Sequence, residues 1–259
     1  MVQLLHAAPA QPSRRKPNLI LHCGAHAVAL DEVAQVKTPR ATSSWMPIPH
    51  HQLIDTVQRT LATTNLTIGT QAHSLTHDGS RYFGLMEIQS RKQNEDYTWV
   101  LGLRNSHDKT FPAGIVAGAS VFVCDNLSFS GDVKFARKHT RFINRDLPQL
   151  VSRAIGMLGD KWNEQDRRII AYKDHSVTDQ TAHDLVIRSV DAGVCANSYI
   201  PDVLKEWRHP QHDAFEPRNV WSLFNAFTET LKQASLAELP KRTQALHRLL
   251  DVHVGLGVN

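Results

Sequence analysis

The chain has 259 residues, 41% of them hydrophobic and 21% charged, which is enough apolar material for a sizeable core and argues against wholesale disorder. No apolar run approaches the about 18–20 residues that a helical membrane span needs. Three cysteines, Cys23, Cys124 and Cys195, are too few for a disulfide framework and point to a reducing compartment such as the bacterial cytoplasm. The formal net charge of +4 is mildly basic, compatible with a polyanionic partner without demonstrating one.

In chain order, residues 1–44 read as a flexible or irregular N-terminal segment, with Arg14, Arg15 and Lys16 after a small-residue run in the wrong order for a secretory signal. Residues 37–49, rich in Pro, Ser and Thr, are expected to be irregular and tethered to the body by Trp45, Met46 and Ile48. Pro49 precedes a helical stripe of Leu53, Ile54, Val57 and Leu61. Residues 65–76 and 81–89 flank Asp78-Gly79, a strong hairpin signal. Tyr97, Trp99, Leu101 and Leu103 alternate on a third strand, and Asn105–Thr110 is expected to form a polar loop. Residues 113–124 make a fourth strand and 127–135 a fifth, so the pattern is an antiparallel meander.

A helical half follows. Leu147, Leu150, Val151, Ala154, Ile155, Leu158 and Trp162 share one stripe, which predicts a single long helix over about 146–172, with Asp146 as N-cap and Pro148 in its first turn. Gly156 and Gly159 are candidates for close packing against the glycine-bearing strand. Further helices are expected near 179–191, 218–234 and 241–252. The resulting class is α+β: a meander preceded by a short helix and packed against a long one. The α+β core spans 45–175, and 176–259 is a helical C-terminal part of the same domain.

The runs LGLRNSHDKTFPAGIVAGASVFVCDNLSFSG (101–131), KHTR (138–141) and RNVWSLFNAFTETLK (218–232) carry a resemblance to a known family, and PIPHHQLIDTV (47–57) and IPDVLKEWRHP (200–210) fit the same pattern. The chain resembles the phage- and plasmid-borne proteins of the domain-of-unknown-function 932 family over roughly residues 45–250. The resemblance implies a mobile-element context and transfers no catalytic residues. At the level of architecture alone, the order helix, hairpin, strands, long helix is also similar to that of single-strand annealing recombination proteins.

The stretch KFARKHTRFINR carries Lys134, Arg137, Lys138, Arg141 and Arg145 with no acid, and interleaves Phe135 and Phe142. Basic side chains bind phosphates through counterion release, and aromatic faces stack on unpaired bases. Arg104, Asn105 and Lys109, in the loop RNSHDKT, are expected to extend this track, as are Arg81, Arg91 and Lys92. The competing reading is a solvated face whose phenylalanines belong to the core and a loop whose polar groups bond its own backbone.

Other chemistry is weakly signalled. There is no H-E-x-x-H, no zinc-ribbon cysteine pair, no phosphate-binding glycine loop and no G-x-S-x-G elbow. His22 with His26, the loop His209, His212, Asp213 and Glu216, and the carboxylates Glu87, Asp96, Asp125 and Asp132 are the remaining groupings for a metal. Neither a cofactor nor a metal is expected. The expectation is a non-enzymatic protein binding single-stranded DNA, with annealing or recombination as its use and a homo-oligomeric ring or filament as its assembly. A metal-dependent nucleic-acid hydrolase and a host-interaction or counter-defence protein are the alternatives.

Overall fold

The computed structural model describes residues 25–89, 97–121, 127–234 and 238–257, with backbone alone for 120–121 and 127–134. Six strands, β1 (Ala25–Val28), β2 (Thr67–Thr76), β3 (Arg81–Gln89), β4 (Tyr97–Ser106), β5 (Ala113–Val121) and β6 (Leu127–Arg137), form one antiparallel sheet in sequential order. The class is α+β, as the sequence pattern indicates. Gly79 closes the β2–β3 hairpin at φ 66°, a conformation that disfavours any Cβ. The Asp78 carboxylate accepts from the Ser80 amide across the same turn.

The strand β1 and a short helix α1 (Leu30–Gln35) lie within the segment expected to be irregular. β1 adds a sixth strand at the edge, antiparallel to β2. The helix α2 (His50–Leu61) buries Leu53, Ile54, Val57 and Leu61, the stripe predicted for it. β4 runs three residues past the predicted Leu103, so Asn105 and Ser106 are strand residues, not loop.

The predicted long helix is two. α3 (Ile143–Gly156) and α4 (Leu158–Asp174) part at Met157, whose amide bonds back to Ala154 and Ile155 carbonyls in a tightened last turn. The break lets the two apolar stripes take different partners: α3 buries Leu147 and Val151, whereas α4 stacks Trp162 on Trp99 of β4, centroids 5.2 Å apart. A Cβ on Gly156 or Gly159 would meet nothing within 4 Å, so these glycines do not mediate close packing. Asp146 is not the N-cap; that position is Phe142, and Asp146 falls in the first turn of α3.

The helical C-terminal part comprises α5 (Asp179–Asp191), α6 (Ile200–Arg208), α7 (Val220–Leu231) and α8 (Leu239–His253). α7 is buried almost all round, as its run of Val220, Trp221, Leu223, Phe224 and Phe227 requires. Arg168 of α4 reaches Asp251 of α8 at 2.9 Å, and Tyr172 donates to the same carboxylate at 2.7 Å. This buried charge pair ties the last helix to the helix that lies on the sheet. No described helix is long and apolar enough to cross a membrane.

Candidate nucleic-acid interface

Between β6 and α3 the chain makes a tight turn, with the Thr140 amide bonded to the Lys138 carbonyl and the Ile143 amide to the Thr140 carbonyl. The turn turns Lys138, Arg141, Phe142 and Arg145 outward. Phe142 is 40% exposed, unusual for so large an apolar ring. The guanidinium carbons of Arg141 and Arg145 each lie 4.6 Å from its centroid. The result is a small ledge of alternating π and cationic surface. Asp146 opposes its charge: it accepts from Arg145 Nε at 2.9 Å and from Arg137 at 2.6 Å.

The sheet separates the other expected contacts. Directly paired residues of antiparallel strands share a face. Arg104 pairs with Phe83 and Gly114, and Gly114 with Ala136. Its neighbour Asn105, and Arg137 next to Ala136, therefore face the opposite side. Arg104 is half-buried, its guanidinium 5.6 Å from Phe111, and does not share the ledge's face. Phe135 is buried among core residues and stacks on nothing external. Lys109, at φ 65°, lies over the Trp45 ring at 4.9 Å. Arg81 is held by Asp108 at 2.6 Å. Lys134 pairs with Val116 in the backbone of β6, and its side chain lies outside what is described, as do Arg91 and Lys92.

Asn105 requires the plainest correction. It is wholly buried and serves as the hub of a histidine network, so it offers nothing to an external strand. Its amide nitrogen donates to the Ile48 carbonyl at 3.0 Å and to His50 Nδ1 at 2.9 Å. Its oxygen accepts from His139 Nε2 at 2.7 Å. Carbonyl oxygens only accept, so His50 Nε2 donates to Gly79 and His107 Nε2 to Ile48. Each of the three imidazoles thereby carries a proton on Nε2, and His50, whose Nδ1 accepts from Asn105, is the neutral Nε2–H tautomer.

His50 and His107 stack with centroids 3.9 Å apart, an arrangement that opposes double protonation. Burial, reinforced by His107, lowers the pKa of His50 to about 3, and burial beside His107 lowers that of His139 to about 4. On the same face, Tyr82 bonds His73 at 2.9 Å by lying across Gly84, where a Cβ would stand 2.0 Å from the phenolic oxygen. The network pins the 46–50 segment to the sheet and to the base of the ledge, since the Met46 amide also bonds the His139 carbonyl. Its signal in the sequence was the inward alternation of β4, which continues past Leu103 onto a polar residue.

The family model for a domain of unknown function, DUF932, matches residues 40–251, most of the chain. The chain belongs to this family. Comparison with curated proteins and with solved structures gives no match. In this DUF932 protein the stretches that carry family resemblance fall on both features just described: RNSHDK supplies Asn105 and His107, and KHTR supplies Lys138, His139 and Arg141.

Among the described residues of the DUF932 chain, no three His, Cys, Asp or Glu side chains come together as a metal site. Glu87 accepts from Thr70 across the β2–β3 pair. His26 stacks on His77, 5.0 Å between centroids, while its expected partner His22 lies outside the described residues, as do Asp96 and Asp125. Cys195 is buried against Ser189, and burial raises its thiol pKa, which disfavours a nucleophilic thiolate.

Proposed function

We propose that this protein binds single-stranded nucleic acid, with DNA preferred, on the ledge formed by Lys138, Arg141, Phe142 and Arg145. The observation that carries the reading is the exposed Phe142 with a guanidinium against its ring from each of two arginines. A base stacks on such a surface, either on the ring or on a guanidinium plane, and the cations take the flanking phosphates. Paired bases present no free face, which is why the preference is for unpaired strands. Four residues cover few nucleotides, so annealing or recombination requires several copies side by side, as in a ring or filament.

The test is an anisotropy titration with single- and double-stranded oligonucleotides at two salt concentrations. Natural chain and R141A/F142A variant are compared, with the native mass measured in parallel. The expected result is salt-dependent binding that favours the single strand and weakens by about tenfold in the variant, since each lost stack is worth about 1–3 kcal/mol. Equal affinity in natural chain and variant, or binding insensitive to salt, overturns the reading.

A further inference from the structure

Beside the ledge, one carboxylate receives two guanidiniums. Asp146 Oδ2 accepts from an Nη of Arg137 at 2.6 Å, and Oδ1 accepts from Arg145 Nε at 2.9 Å. Neither arginine uses the two-toothed geometry in which a guanidinium grips an oxyanion most strongly. Arg137 in particular keeps its Nε buried and without a partner. A second buried side-chain donor without a partner, Thr140 Oγ1, lies on the same turn. Buried donors left unpaired in a native protein call for an explanation, and an absent ion or ligand is one of the standard ones.

We propose that Arg137 and Arg145 form a phosphate subsite which Asp146 occupies in the free protein, so that an incoming phosphodiester displaces an internal carboxylate. The inference rests on the reading above for the identity of the ligand and adds regulation to it. A carboxylate has two oxygens, and each guanidinium here takes one. A phosphodiester likewise presents two unesterified oxygens, but they are not tethered to α3 and can turn to meet Nε as well as an Nη of Arg137 while holding Arg145. Asp146 lies in the first turn of α3, where its charge stays favourable near the helix amides after it releases the arginines. The carboxylate therefore acts as an internal competitor. It holds both arginines in position when no strand is bound and weakens binding to any polyanion that cannot displace it.

The test uses the full chain and two probes, inorganic phosphate and a single-stranded oligothymidylate, at constant ionic strength. D146N removes the competitor and keeps the side-chain shape. D184N, which neutralises an exposed helix carboxylate paired with Arg188, adds the same charge elsewhere. The expected result is that D146N tightens both probes by about tenfold and D184N by less than about twofold, as direct charge-assisted contacts outweigh diffuse charge. Adding R145Q to D146N cancels the gain; Arg145 is 70% exposed, so its replacement leaves the fold intact. D146S replaces D146N if the latter does not fold. A gain for D146N no larger than that for D184N, or one that survives R145Q, overturns the proposal. A gain for inorganic phosphate in a protein that binds no oligonucleotide supports the subsite and rejects the nucleic-acid reading.

Discussion

Asn105 has both amide hydrogens and its carbonyl oxygen committed to partners inside the protein. Removing that amide leaves the Ile48 carbonyl short of a donor and His139 Nε2–H without an acceptor. Asn105→Ala is therefore expected to cost about 2–4 kcal/mol, the scale for orphaning buried polar groups in one network. A urea denaturation series reads the loss directly, and an unchanged midpoint contradicts the tautomer assignment. Phe142 and Asn105 show what a sequence exposes at this scale. Both were recognisable as chemistry-bearing residues. Which of them faced water was set by strand parity and by where β4 ended, and a polar residue at an inward position reads as a loop until its partners are known. The partners lie 34, 55 and 57 residues away, so no local window contains them.

At the scale of elements, local chemistry was decisive where it was strong. The Asp78-Gly79 turn, the strand 81–89 and the helix 179–191 stand where alternation and periodicity placed them. The break at Met157 was hidden because the apolar stripe continues through it while its partners change from the α2 side to Trp99. The helix α6 carries a helical period, Ile200, Val203, Leu204 and Trp207, that was legible in the sequence; over nine residues, with Pro201 in its first turn, it went unassigned. α7 depends on a capping residue with two roles: Asn219 accepts from the Ser222 amide at 2.9 Å and donates to the Lys173 carbonyl at 3.0 Å. It thus starts α7 and closes the end of α4. Asn219→Ala is expected to lower stability by about 1–2 kcal/mol, the range for a lost N-cap, visible as a lower melting temperature with the helical signal otherwise retained. A variant melting with the natural chain contradicts the double role.

For the whole molecule, the histidine network makes acid the weak direction. The folded pKa values of His50 and His139, about 3 and about 4, lie below the ordinary value of 6.5. The unfolded chain therefore binds more protons than the folded one between those values. The stabilisation is fully present above pH about 6.5 and is lost as pH falls toward the folded values. Between pH 7 and 5 these two groups are expected to remove about 2–4 kcal/mol, from about 1.4 kcal/mol per pH unit for each group. Urea midpoints across that interval measure it, and a flat profile contradicts the buried neutral imidazoles. The meander and its helical cover were readable as a whole. The distribution of cations over the two faces was not, because it follows from the register of β4, β5 and β6, which pairs Arg104 with Gly114 and places Arg137 on the opposite side.

The proposed binding of single strands requires an unpaired base to rest at Phe142. The direct measurement is photocrosslinking of the natural chain to a single-stranded oligonucleotide carrying a halogenated uracil, with the adduct mapped by mass spectrometry. The predicted adduct lies in the peptide holding Arg141, Phe142 and Arg145 and disappears in excess unlabelled single strand. Crosslinks confined to other segments, or none under conditions where the strand is bound, contradict it.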